Sequence, residues 1–234
     1  MNRRRGTQRD DLVTVDLLQS TAYAVRAART VLVDTGPAGQ ERTLLRRLAR
    51  AGVDPDEISL IVLTHCHPDH AGGAAQLRRQ LRVPVAVHAA ELDWAATGTS
   101  VLYHAQRPFG HLLRRILRPS FPAFTPDTVL DHGTRLDEHG APLTVLHTPG
   151  HTPGSVTLLH RPDGKAFVGD LLAGGMLRRD RPGLPFLAED PDQVRRSVQD
   201  LLDRTPSRLL FGHGKPASAR SVLRRFGPAA PDHR

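Results

Sequence analysis

Apolar and polar positions along the chain alternate first with the period of a strand and then with that of a helix, and this happens twice. Period two marks half-buried strands, and recurrence at three and four residues marks helices. Strands are predicted over 12–18 and 21–25, and the Arg26-Ala27 pair turns the chain into a third over 30–33, which ends at Asp34-Thr35-Gly36. Residues 39–51 have helical spacing, with Leu44, Leu45 and Leu48 on one face and arginines on the other, and Gly52 sits where a helix commonly ends. The run 58–63 is apolar apart from Ser59, as expected of a strand buried on both faces. A helix over 71–81, a strand over 83–87 and a helix over 89–95 follow. The second half predicts strands at 129–130, 143–146, 156–160 and 166–168, a helix at 191–203, a strand at 208–211 and a helix at 216–225.

Two strand-rich halves with helices outside them give an α/β class and point to a four-layer αββα sandwich, although the pattern alone also allows a three-layer α/β fold. The stretch 96–126 departs from this order. Gly98, Pro108, Pro119, Pro122 and Pro126 interrupt it, and inside lies a short amphipathic segment with Leu112, Leu113, Ile116 and Leu117 set against Arg114, Arg115 and Arg118. It reads as a lid or insertion; a helix packed on the body with solvated arginines fits the same residues. One domain is expected over 11–226, flanked by a flexible basic N-terminus (1–10) and a flexible tail (227–234).

Composition narrows the function classes. The net charge is +8, but the basic residues are nearly all arginine, with lysine only at 165 and 215, and they are spread along the chain. That spread does not form a basic stripe, so a small-molecule substrate is expected rather than nucleic acid. No apolar run approaches the roughly 20 residues needed to span a bilayer. Asp10, Asp11 and Asp16 interrupt the stretch behind the basic N-terminus, where a signal peptide would carry its apolar core, so a cytoplasmic protein is expected. Cys66 is the single cysteine, which excludes an intrachain disulfide and a Cys-x-x-Cys zinc site. A metal would have to be held by His, Asp or Glu.

Such residues cluster immediately after the 58–63 strand, in Thr64-His65-Cys66-His67-Pro68-Asp69-His70. In extended chain His65 and His67 point to one side and Cys66 to the other, so two imidazoles can grip one cation. Asp69 and His70 then offer an oxygen and a nitrogen slightly further on. The chain holds 13 histidines, so some clustering arises by chance. Three histidines and an aspartate within six positions would still be electrostatically awkward without a cation.

His65-Cys66-His67-Pro68-Asp69-His70 resembles the H-x-H-x-D-H signature of the metallo-β-lactamase superfamily. Four more segments resemble that family in the same order: Val31–Gly36, ending in D-T-G; the T-P-G-H-T-P-G-S run at 148–155; Val168-Gly169-Asp170; and Phe211-Gly212-His213-Gly214. The resemblance covers about 31–214 and implies a glyoxalase II-like hydrolase with two divalent metal ions, zinc first, with iron or manganese as alternatives. By resemblance His65, His67 and His151 bind one ion; Asp69, His70 and His213 bind the second; Asp170 bridges them. Asp34 and His147 stand behind the ligands as orienting or structural residues, and Gly72 and Gly73 allow close helix packing behind the site.

Two such ions acidify a shared water. The implied chemistry is therefore attack of a metal-bound hydroxide on an ester, thioester or lactone carbonyl, with Asp69 orienting the hydroxide and helping to move its proton. Departures from the family's subgroups trim the list. True metallo-β-lactamases generally lack the bridging aspartate present here as Asp170. The stretch after His213 is too short for the glutathione-binding region of glyoxalase II enzymes. Lactonases carry a tyrosine where Leu171-Leu172-Ala173 stands, unless Tyr103 substitutes. A mononuclear iron persulfide dioxygenase and a phosphodiesterase or nuclease on the same scaffold are the competing readings.

Overall fold

The structure is a computed structural model that describes residues 11–101, 104–105, 119–175 and 181–227. The expected flexible N-terminus, Tyr103, the amphipathic segment within 96–126 and all of the tail beyond Gly227 lie outside the described residues.

Six strands form the first sheet: β1 (Leu12–Asp16), β2 (Thr21–Arg26), β3 (Thr30–Val33), β4 (Ile58–Val62), β5 (Val85–His88) and β7 (Thr128–Leu130), in that spatial order. β1, β2 and β3 pair antiparallel, and β3, β4, β5 and β7 run parallel. The second sheet has the order β13 (Ala217–Ser218), β12 (Arg208–Phe211), β10 (Lys165–Gly169), β9 (Val156–His160) and β8 (Leu143–His147); β10 and β12 pair parallel and the rest antiparallel. A separate short pair joins β6 (His104–Ala105) to β11 (Leu187–Ala188). Helices α1 (Glu41–Arg50), α2 (Pro68–Ala71), α3 (Ala74–Leu81) and α4 (Leu92–Thr97) belong to the first half, and α5 (Pro191–Asp203) and α6 (Ala219–Phe226) to the second. Among the described residues no helix is long and apolar enough to cross a membrane.

Strand periodicity decides which side chain enters which layer. Val31 and Val33 of β3, Leu60 and Val62 of β4, Val145, Val156, Leu158, Phe167 and Leu210 fill the space between the sheets. Their neighbours on the other face, Leu32 and Ile61, meet Leu44, Leu48 and Leu77 of the first helical layer. Ala166, Val168, Leu209 and Phe211 face outward from the second sheet onto Val194, Val198, Leu201 and Val222 of α5 and α6. Three cores between four layers make the αββα sandwich.

The local departures have physical causes. The helix expected over 71–81 is divided at Gly72-Gly73, where the chain crosses the 35–38 segment; a Cβ on Gly72 would lie 2.3 Å from the Ala38 nitrogen. The expected helix over 216–225 spends Ala217–Ser218 as an edge strand on β12 before Ser218 caps α6 through the Ser221 amide. Helix α5 has the expected bounds, because Asp190 accepts from the Asp192 and Gln193 amides and Pro191 needs no donor partner. The described ends of 96–126 are fastened to the body: the Phe121 amide donates to the Gly98 carbonyl (2.8 Å), and Phe121 and Phe124 lie in the first helical core.

Phe167 is fully buried between the sheets and packs edge-on against Tyr23, with ring centroids 5.3 Å apart. Phe167→Ala is expected to lower the unfolding free energy by about 3–5 kcal/mol, measured by urea denaturation.

Candidate metal centre

The segments after β4, β10 and β12 and the turn between β8 and β9 all emerge at one rim of the sandwich, where backbone bonds join the two sheets. The Val156 amide donates to the Thr64 carbonyl (2.9 Å), the Thr21 amide to the Gly212 carbonyl (2.9 Å) and the Tyr23 hydroxyl to the Phe211 carbonyl (2.7 Å). Here the structure brings together His65, His67, Asp69, His70, His151, Asp170 and His213.

Beyond β4 the chain bends at Thr64 and is extended at His67, and Cys66 turns into the first helical core. Pro68 then opens α2, a single turn that brings Asp69 and His70 back toward the same space. Asp34, at the end of β3, has the left-handed φ of 59°, an uncommon state for a residue with a side chain. Its carboxylate accepts from the Thr64 amide (2.8 Å) and hydroxyl, and from His70 Nδ1 (2.8 Å). His70 therefore presents Nε2 to the centre.

His151 lies on a tight loop in which the Gly150 amide donates to the Thr152 carbonyl (3.2 Å) and Ser197 of α5 donates to the Pro149 carbonyl (2.8 Å). Gly150 has φ 126° and approaches α5 so closely that a Cβ would stand 2.4 Å from the Val194 nitrogen. His147 does not enter the cluster. Its Nε2 donates to the Pro153 carbonyl (2.8 Å), bracing the loop, and its ring stacks on His88.

The ligand atoms fall into three overlapping groups, each within 4.8 Å: His65, His67 and His151; His65, His70 and Asp170; and Asp69, His70 and His213. His213 Nε2 lies 3.2 Å from Asp69 and 3.1 Å from Asp170, and His70 Nε2 lies 3.4 Å from Asp170. In the first group chemistry fixes the tautomers. A carbonyl only accepts, so His67 Nε2 must donate to Val101 (3.1 Å) and His151 Nδ1 to Leu187 (2.8 Å). The opposite nitrogens, His67 Nδ1 and His151 Nε2, then face each other at 3.0 Å with lone pairs. Nearby, His65 Nε2 and Asp170 Oδ1 are buried without a hydrogen-bond partner. Two opposed lone pairs, with the unpartnered His65 Nε2 beside them, suit a cation.

The electrostatics separate the groups. Burial pushes His67 down to about 3 and lowers His65 and His151, with the neighbouring imidazoles adding to the effect at His65 and His67, so all three are neutral and ready to donate lone pairs. Burial also opposes charge on His70 and His213, but carboxylates reverse it. Asp170, Asp34 and Asp69 hold His70 well above the ordinary imidazole range, and Asp170 and Asp69 push His213 up to about 10.

Several contributors carried no sequence signal, the Leu187 carbonyl among them. Glu91 is an acid at the start of a helical stretch, remote from every motif, yet it is buried between the two loops. Trp94 stacks on the His67 ring, with centroids 6.2 Å apart and planes within 13°. Val101 contributes only a carbonyl, which no side-chain pattern reveals.

Asp34→Asn, studied in chelator-treated protein, is expected to move the His70 titration downward, because a neutral amide cannot support its charge. Imidazole NMR titration checks this, and an unmoved His70 would show that Asp34 does not set its protonation.

Comparison with known proteins agrees with this geometry. The chain is 27% identical over 207 residues to the probable metallo-hydrolase YflN of Bacillus subtilis, covering 82% of this chain and 77% of that protein. It is 30% identical over 148 residues to hydroxyacylglutathione hydrolase GloC of Haemophilus influenzae, covering 62% of this chain and 64% of that protein. Among solved structures, TTHA1623 in a di-iron-bound form superposes with a TM-score of 0.64 at 29% identity, covering 92% of this chain and 98% of that one. The sequence model of the metallo-beta-lactamase superfamily matches residues 15–213, and with the sandwich and the His/Asp cluster already described, the chain belongs to that superfamily and is a metal-dependent hydrolase of its fold.

Proposed function

We propose that this chain is a binuclear hydrolase that cleaves an ester, thioester or lactone carbonyl of a small cytoplasmic substrate. His65, His67 and His151 would hold one divalent ion, Asp69, His70 and His213 a second, and Asp170 would serve both; zinc is the first expectation. The observation that carries the reading is the pair of lone pairs on His67 Nδ1 and His151 Nε2 facing each other at 3.0 Å. The overlap of the three ligand groups through His65 and His70 supports two adjacent ions, as does the di-iron form of TTHA1623, which also makes iron the leading alternative metal. GloC, by name a hydroxyacylglutathione hydrolase, supports acyl rather than phosphoryl substrates.

Divalent ions held there supply Lewis acidity, acidifying water and polarising a substrate oxygen. The chain's own residues do the rest. Asp69, at the start of α2 and 3.2 Å from His213, is placed to orient a water and accept its proton. Asp170 sets negative charge between the two pockets. Asp34 holds His70, and the Leu187 and Val101 carbonyls hold His151 and His67, so the imidazoles cannot turn away. Val101, beside the site through its carbonyl, belongs with the rest of the chain to a single domain spanning 11–226 on this reading.

Elemental analysis of protein purified without added metal is expected to find two divalent ions per chain; a single iron would favour the dioxygenase reading. Asp69→Ala is expected to cost roughly 10²–10⁴-fold in turnover across a panel of thioesters and lactones, with an unchanged melting profile. His70 and His213 hold protons at neutral pH and must lose them to ligate a metal. Loading should therefore release protons, and apparent affinity should rise with pH toward about 10, where His213 is half deprotonated, and level off only above it. Calorimetry in buffers of different ionisation enthalpy reads the release, and binding without it would contradict the proposed second pocket.

A further inference from the structure

One buried carboxylate lies behind the first group of histidines and is not among the ligands. Glu91 closes the short 3-10 turn Ala89–Glu91 ahead of α4 and is 1% exposed. Its Oε2 accepts from the Cys66 amide, between His65 and His67. Its Oε1 accepts from the Gly154 amide (3.1 Å) and from the Thr152 hydroxyl, the residue after His151. One side chain thus bonds to both loops that carry the first group of histidines. The fit leaves no slack, since a Cβ on Gly154 would stand 2.6 Å from Glu91 Cγ.

A buried carboxylate is costly unless well bonded, and here the partners are two amides, the Thr152 hydroxyl and the Cys66 thiol rather than a cation. An apolar residue in its place would leave the Cys66 and Gly154 amides without these acceptors. Trp94, three residues on, stacks against His67, and Val101 beyond it fixes the His67 tautomer. The 91–101 segment therefore forms the back wall of the first pocket and touches both sides of it.

We propose that Glu91 is the positioning residue of the first metal pocket: its carboxylate sets the separation between the His65/His67 loop and the His151 loop. This rests on the reading above, in which those three histidines ligate one ion. It makes Glu91 act through the ligands, without touching metal or substrate.

The test uses Glu91→Gln, which keeps shape but retains one acceptor oxygen, and Thr152→Val, which removes a single donor and covers the case where Glu91→Gln does not fold. Cobalt(II) affinity is measured by chelator competition. An Asp69→Ala background isolates the first pocket and a His151→Ala background the second. Expected for Glu91→Gln is a first-pocket affinity roughly 10–100-fold weaker with an altered cobalt absorption band, an unchanged second pocket, and a smaller loss of the same kind for Thr152→Val. Unchanged first-pocket affinity and spectrum in the folded variants would overturn the inference alone. Equal weakening of both pockets together with a collapsed melting transition would assign Glu91 a merely structural role and overturn it too. A wild-type chain that takes up no divalent ion would overturn the underlying reading and this inference with it.

Discussion

The cluster at the rim repels itself. Imidazole lone pairs face one another at hydrogen-bond distance, and Asp69 and Asp170 share a single histidine nitrogen between them. Water would relax such an arrangement if the side chains could turn toward it, and burial removes that option. The surrounding structure has to hold every group in place against this repulsion. It does so with acceptors that take one ring nitrogen each: Asp34 for His70, the Leu187 carbonyl for His151 and the Val101 carbonyl for His67. Each forces the other nitrogen inward.

Those acceptors come from elements far apart in sequence, and the sandwich is what brings them together. The parallel run of β3, β4 and β5 places Asp34, the His65–His70 segment and Glu91 beyond strand ends on the same side of the first sheet. The parallel pair β10 and β12 does the same for Asp170 and His213 in the second. Packing of inward-facing residues such as Phe167, Val62 and Leu158 fixes how closely the sheets approach, and the Val156 to Thr64 backbone bond locks them at the rim. Stability and ligand geometry therefore rest on the same contacts.

Carboxylates hold His70 and His213 above the ordinary imidazole range, while burial holds His65, His67 and His151 below it. One half of the cluster is poised to donate lone pairs at once and the other to exchange protons for a cation. The strained backbone at Asp34 belongs to this design, because its carboxylate both anchors the Thr64 amide and sustains the charge on His70.

Most of the architecture was legible in the chain. The strands at Thr30–Val33, Val156–His160 and Arg208–Phe211 and the helix Pro191–Asp203 have the bounds their periodicity and caps indicate, because burial on alternate faces and an Asp-Pro helix start are local properties. The seven residues now at the rim could be named from their motifs, and Cys66 faces away from them into the first helical core. The break at Gly72-Gly73 and the edge strand at Ala217–Ser218 were not legible, since each depends on a neighbour distant in sequence. The same holds for Glu91, Trp94 and the Val101 carbonyl. Sequence by itself determined most of the strands and helices and the donor types, because periodicity and side-chain chemistry are written residue by residue, whereas the pattern left three or four layers open. Only the tertiary structure decided which nitrogen of each imidazole faces the centre, since that depends on acceptors folded in from elsewhere.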